Sequence, residues 1–219
     1  MNSLGDRSPR KAKGQGSERR EEILAAALKL FTEFGVYSVS TRQIAEAVGV
    51  SQPTLYAYFP TKDDIGRELH SRAFEALAAR LTSHIDQWVE TPADFAAMLR
   101  TYIDFGLENP DLYRMAFMAE APQVRLWTNH THAIPTPALA STYGTLLRMI
   151  TDLHRRGLVV ETAPAVTAQA VWTAMHGLVA LLISKPGFPW VDRDALIDGH
   201  LEMIGRGIWR TSIGHPSIA

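Results

Sequence analysis

The sequence predicts an all-α fold in two parts, and three observations carry that prediction. Apolar residues recur at three- and four-residue steps almost throughout, and nowhere do they alternate over the length of a strand. Glycines and prolines interrupt the pattern at helix-sized intervals. Of 219 residues, 46% are hydrophobic and 21% charged, a globular balance that excludes wholesale disorder and a coiled-coil rod.

The first helix is expected from about Ser17, which suits an N-cap, through Ile23, Ala27, Leu30, Phe31 and Phe34. It stops at Gly35, which tolerates a left-handed C-terminal conformation. A second opens at Ser40, with Gln43 completing a capping box, carries Ile44, Ala45 and Val48, and ends at Gly49. The turn Gly49-Val50-Ser51 leads to a third helix from Gln52 to Phe59. Pro53 lies in its first turn, where a missing N–H costs nothing, and Pro60 stops it.

From Lys62 a one-sided stripe of Ile65, Leu69, Ala73, Leu77, Leu81, Ile85 and Trp88 predicts a long connecting rod. Thr91-Pro92 starts a helix with Phe95, Leu99, Tyr102 and Phe105, and Asn109-Pro110 starts a shorter one through Leu112 and Tyr113 to Met118. Residues 121–137 hold three prolines and no clear period, which predicts a long loop or lid. Helix resumes with Leu139, Tyr143, Leu146, Ile150 and Leu153 and stops at Gly157. Two more, over 164–184 and 193–209, are joined by Lys185-Pro186-Gly187-Phe188-Pro189.

Several function classes drop out on composition. The chain has no cysteine, so a disulfide scaffold, a zinc-cysteine site and thiol catalysis are excluded. No apolar run is read as approaching the roughly 18 residues that span a bilayer, the longest, 171–183, being broken by His176 and Gly177. A cytoplasmic protein without a membrane partner is expected. The first twenty residues carry Arg7, Arg10, Lys11, Lys13, Arg19 and Arg20 without an apolar core, and read as a basic tail rather than a secretory signal. Residues 1–72 hold 11 Lys and Arg against 9 Asp and Glu, whereas 73–219 hold 11 against 14. A basic front on an acidic body suits a front that meets an anion such as nucleic acid.

Two short helices joined by a glycine turn and braced by a preceding helix are the parts of a helix-turn-helix DNA reader. Ala45 is small where the helices cross, and Val50 plugs the core between them. Leu55 and Phe59, four apart, face inward, which leaves Gln52, Pro53, Thr54 and Tyr56 outward. Gln pairs bidentately with adenine, Thr offers a hydroxyl or a methyl, and Pro touches a thymine methyl.

The run Phe34-Gly35-Val36-Tyr37, then residues 40–51 (Ser-Thr-Arg-Gln-Ile-Ala-Glu-Ala-Val-Gly-Val-Ser), then Thr54-Leu55-Tyr56-Ala57-Tyr58-Phe59 and Lys62, resembles the DNA-binding signature of the TetR family of transcriptional repressors. That resemblance implies that Tyr56, Tyr58 and Lys62 grip phosphates, that Thr41 and Arg42 anchor the second helix on the DNA backbone, and that Gln52, Pro53 and Thr54 lie closest to the bases. Pro53 departs from the pattern, since members often carry Gly or a basic residue there.

The run Trp172-Thr173-Ala174-Met175-His176-Gly177, with Asn109-Pro110-Asp111-Leu112-Tyr113-Arg114 upstream, resembles a Trp-x-x-x-His-Gly class of TetR C-terminal domain. The resemblance implies a helical effector-binding and dimerisation domain, and a homodimer through the last two helices that addresses a pseudo-palindromic double-stranded DNA operator. Residues 164–184 are apolar nearly all round. The last helix offers Ile197, Leu201, Ile204 and Ile208 as a stripe, with Gly205 and Gly207 allowing close approach. Effector-lining candidates are Tyr102, Phe105, Tyr113, Phe117, Met118, Trp127, Tyr143, Met149, Trp172 and Met175, with His176 or Arg114 as a polar contact; these side chains suit a small apolar or aromatic molecule. The same residues also read as ordinary core.

The implied division is a tail over 1–16, the reader over 17–62, the effector and dimerisation part over 63–210, and a tail over 211–219. His130 and His132 with His154 or His200 could supply imidazoles to a metal site, but nothing fixes a third ligand, so neither a metal nor another cofactor is expected. Ser141, His176 and Asp152 exist as types, but no nucleophile elbow, phosphate-cradling loop or zinc helix accompanies them, so no enzyme is expected.

Overall fold

The computed structural model describes residues 16–85, 89–118 and 137–210. It contains α1 (Gly16–Phe34), α2 (Thr41–Val48), α3 (Gln52–Tyr58), α4 (Lys62–Ile85), α5 (Pro92–Glu108), α6 (Pro110–Tyr113), α7 (Pro137–Arg155), α8 (Pro164–Ser184) and α9 (Arg193–Ile208). The described residues are thus all-α, apart from a single bridge between Val159 and Trp209. Trp88 of the predicted rod and residues 119–136, which hold almost all of the predicted lid with Trp127, His130 and His132, lie outside the described residues.

The chain divides into two compact units. The first takes in the described residues up to Glu75 and residues 110–118. Its core joins Ile23, Ala27 and Phe31 of α1, Ile44 and Ala45 of α2, Leu55 of α3 and Ile65 and Leu69 of α4. Each of the larger side chains among them, the alanines excepted, stabilises by about 1.5–3 kcal/mol when fully buried. Arg19 and Arg20 belong to this unit and not to a basic tail: α1 starts before them, Arg19 is only 6% exposed, and Arg20 pairs with Glu68. Phe34, at the far end of α1, is exposed rather than core.

Residues 110–118 do not form one plain helix. After α6 a single π turn, Arg114–Met118, follows. It carries Met115 into the same core as α1 and sets Phe117 4.9 Å from Phe74 and 4.8 Å from Tyr113.

The second unit comprises residues 76–109 and the described residues from 137 onward. In it α8 packs against α5, α7 and α9. Arg100 of α5 binds Asp104 on its own helix at 2.9 Å and reaches Asp194 at 2.8 Å and Asp198 at 3.2 Å on α9. Two expectations need correction here. Ile197, Leu201, Ile204 and Ile208 are buried within this chain, so the apolar stripe of α9 faces its own core and is not a surface for a second copy. Gly205 is half-buried, and a Cβ there would meet Trp209 Cδ1 at the cap of the same helix at 4.0 Å. The second correction concerns α8, which is long and apolar enough by length and composition to cross a membrane. His176 and Gly177 break a continuous run but do not offset the apolar residues on either side. Thr167, Val171, Met175, Val179 and Ile183 of α8 are buried inside the chain.

Candidate functional site

Local chemistry builds α2 and α3. Ser40 Oγ accepts the Gln43 N–H at 3.2 Å while Gln43 Oε1 accepts the Ser40 N–H at 2.8 Å, closing the predicted box. Gly49 takes φ 71° at the C-terminus of α2, and Val50 N–H donates to Ala45 O at 2.9 Å, so the chain reverses in one turn. Ser51 caps α3 by accepting the Thr54 N–H at 3.3 Å, and its hydroxyl is 2.8 Å from Thr54 Oγ1.

Leu55 and Phe59 fix the rotation of α3, since both are fully buried. The 100° step of a helix then turns Gln52, Pro53, Thr54 and Tyr56 outward, and all four are exposed. Tyr58 is half-buried and packs partly against the core. The Tyr56 hydroxyl lies 3.0 Å from Thr41 Oγ1, which links α3 to the start of α2. Arg42 is largely exposed beside them and pairs with Glu46 at 2.8 Å, one turn along the same helix. Lys62 is placed differently: half-buried, its Nζ donates to Val36 O at 2.7 Å and to Val39 O at 2.8 Å. The surface is therefore a short polar row flanked by hydroxyls and a guanidinium.

Sequence reasoning missed what holds this surface in place. The Arg20 guanidinium stacks 4.4 Å over the Phe59 ring and pairs with Glu68, which also accepts from Arg72; Arg72 in turn binds Glu21. The network ties α1 to α4. The two guanidiniums hold the Glu68 carboxyl below the usual carboxylate range against a burial cost. A signal was present, because Arg20 stands four residues before Leu24, and Arg19 four before Ile23, on the buried side of α1.

The effector candidates fall into both units. In the first, Tyr113 is fully buried, Phe117 is wedged between aromatic rings and Met118 is exposed; Arg114 pairs with Asp111 at 3.0 Å. In the second, Tyr102, Phe105 and Met175 are buried, while Tyr143, Met149, Trp172 and His176 are half-buried. Tyr143, Trp172 and His176 form a row with ring centres 6.0 and 6.5 Å apart. Burial pushes the His176 imidazole below its ordinary pKa, which favours the neutral ring. Among the described residues no group of three His, Cys, Asp or Glu is placed to hold a metal ion.

Two family descriptions match the chain: bacterial regulatory proteins of the tetR family over residues 23–69, and the tetracyclin repressor-like C-terminal domain over residues 95–204. The second covers half of the chain. Among curated proteins, the nucleoid occlusion factor SlmA of Haemophilus influenzae is 31% identical over 123 residues, 54% of this chain and 56% of that protein. The chain thus spans about half the length of the curated relatives it matches. Two solved structures share the fold. A regulatory protein in the tetR family from Rhodococcus RHA1 has a TM-score of 0.72 at 16% identity, covering 89% of this chain and 98% of that one. The ketosteroid transcriptional regulator KstR2 of Mycobacterium tuberculosis has 0.67 at 18%, covering 92% and 100%.

Proposed function

Since the chain belongs to the TetR family and is a DNA-binding transcriptional regulator, we propose that it is a homodimeric repressor that a small apolar or aromatic effector releases from a pseudo-palindromic operator. The observation that carries the reading is the exposed row Gln52, Pro53 and Thr54 on a helix whose rotation is set by buried Leu55 and Phe59. A helix so anchored offers its first turn to a major groove. Gln52 then reads a base edge, and Thr41, Arg42, Tyr56 and Tyr58 meet the flanking phosphates. The protein works in the cytoplasm, where its operators are. Two copies place their readers about 34 Å apart, one turn of duplex.

Tyr143, Trp172 and His176 are the effector contacts the reading favours, because half-buried rings in a row leave π faces for a ligand while fully buried Tyr102, Phe105 and Met175 act as packing. An effector that weakens DNA affinity a hundredfold supplies about 2.7 kcal/mol of coupling.

Competition binding to the promoter beside its own gene tests the reading. The expected preference over random duplex is about a thousandfold or more, and no preference defeats it. Gln52→Ala should reorder the preference among operator variants by about 1–3 kcal/mol at one base pair. Equal losses on every sequence would make Gln52 a positioning group. The match to SlmA favours a second reading, nucleoid occlusion. Septum placement that shifts relative to the nucleoid when the protein is depleted would support that reading over the repressor.

A further inference from the structure

We propose that Lys62 is a positioning residue for the DNA reader and not one of its phosphate grips: its ammonium clamps the turn between α1 and α2 onto the first turn of α4. The inference rests on the DNA-reading function proposed above, and it reverses the role that family resemblance gives this lysine.

Three observations carry it. Two of the three ammonium protons are committed inside the protein, to Val36 O at 2.7 Å and Val39 O at 2.8 Å, distances typical of charge-assisted bonds. The clamped turn is a specific one. α1 ends where Gly35 takes φ 79°, and the side chains of Val36 and Val39 are buried, so the clamp holds a turn already anchored on its apolar side. Val39 immediately precedes the Ser40 cap, so fixing its carbonyl fixes where α2 begins and, through the Gly49 turn, how α3 is presented.

The third observation is electrostatic. Lys62 is the first residue of α4, where the helix dipole disfavours a cation, and Asp63 and Asp64 occupy the same turn, as a helix start prefers. The carbonyls just beyond the C-terminal end of α1 provide the negative environment that a cation there needs. Arg42, by contrast, is largely exposed and pairs only along its own helix surface, the arrangement expected of a cation that exchanges its partner for a phosphate.

The test uses the full-length protein with Lys62→Met, which keeps the alkyl stem and removes the charge. In the DNA-free protein, hydrogen exchange at the amides of residues 36–44 should speed up by about tenfold or more. Operator affinity over random duplex should fall by about fivefold or more at a temperature where the variant is fully folded. The slope of log affinity against log salt should stay unchanged. A phosphate contact would instead lower that slope by about 0.9. A slope lowered by that amount, unchanged exchange, or an unchanged operator preference overturns the proposal. If Lys62→Met does not fold, Lys62→Gln, which retains an N–H donor for one carbonyl, is read in the same way. A wild-type protein without any operator preference would sink the DNA-reading function, while the exchange measurement would still judge the clamp by itself.

Discussion

At the scale of single residues, the fold's clearest liability is His70. The side chain is 2% exposed in α4, its ring is 4.9 Å from Phe74, and burial pushes its pKa from 6.5 down to about 4. The unfolded chain therefore binds a proton between those values that the folded chain refuses. Stability is complete above pH 6.5 and is lost as pH falls toward 4, at about 1.4 kcal/mol per unit and about 3 kcal/mol in all. Urea melts at pH 6.5 and pH 5 should differ by roughly 2 kcal/mol in the native protein and by much less in His70→Leu. The carboxylates of Glu68 and Asp64 are held below the usual range by their partners, so the stability they contribute is lost only where the unfolded carboxylates take up protons, at the acid end of this window, and the comparison stops at pH 5 for that reason. His176 shifts in the same direction from a half-buried position, so an undiminished pH effect in His70→Leu would reassign the titration to other groups.

At the scale of elements, the reader depends on caps, because α2 with eight residues and α3 with seven are too short to persist alone. Ser40→Ala should cost about 1 kcal/mol, and Gln43→Ala should add less than its own single cost, since the two side chains form one reciprocal box. Full additivity in a double-mutant cycle would mean that the box is not a unit. The same caps explain what the sequence showed in advance. Ser40, Ser51 and Thr91 cap helices, and Gly35, Gly49 and Gly157 take positive φ where a helix had to stop, because these signals act within a few residues. The π turn at Arg114–Met118 was invisible because no local residue demands it; packing of Met115 and Phe117 accompanies it. Arg19 and Arg20 resemble a tail in the sequence for a related reason: their charge suggests a solvated segment, and only their register with Ile23 and Leu24 shows the buried side. Periodicity in α9 likewise identified an apolar face correctly but could not say which molecule covers it.

That last ambiguity decides the molecule's assembly. Ile204 is 7% exposed within one chain, so a charge there strikes the fold itself, whereas Met203 beside it is 60% exposed. Around α9, Gly199, Met203 and Gly207 recur every four residues on a second, uncovered strip, and the glycines at 199 and 207 have nothing within 4 Å of a Cβ. On α8, Val166, Ala170, Ala174, Gly177 and Leu181 continue at three- and four-residue steps, with Val166 56% and Leu181 49% exposed. An apolar strip of that length on a helix whose opposite side is core is costly to leave in water and suits a self-complementary two-fold contact. On this reading the second copy covers α8 and α9 on the faces opposite those the isoleucines use. Met203→Glu and Leu181→Glu should therefore yield monomers by sedimentation with helical content intact. Ile204→Glu should lower stability by several kcal/mol, because it buries an unpaired carboxylate. Operator affinity in the first two variants should fall toward that of a single reading head, because the second head no longer binds as part of the same particle. If instead Met203→Glu stays dimeric at micromolar concentration and Ile204→Glu alone dissociates, the copies meet through some other surface and the two-headed operator contact must be rebuilt from there.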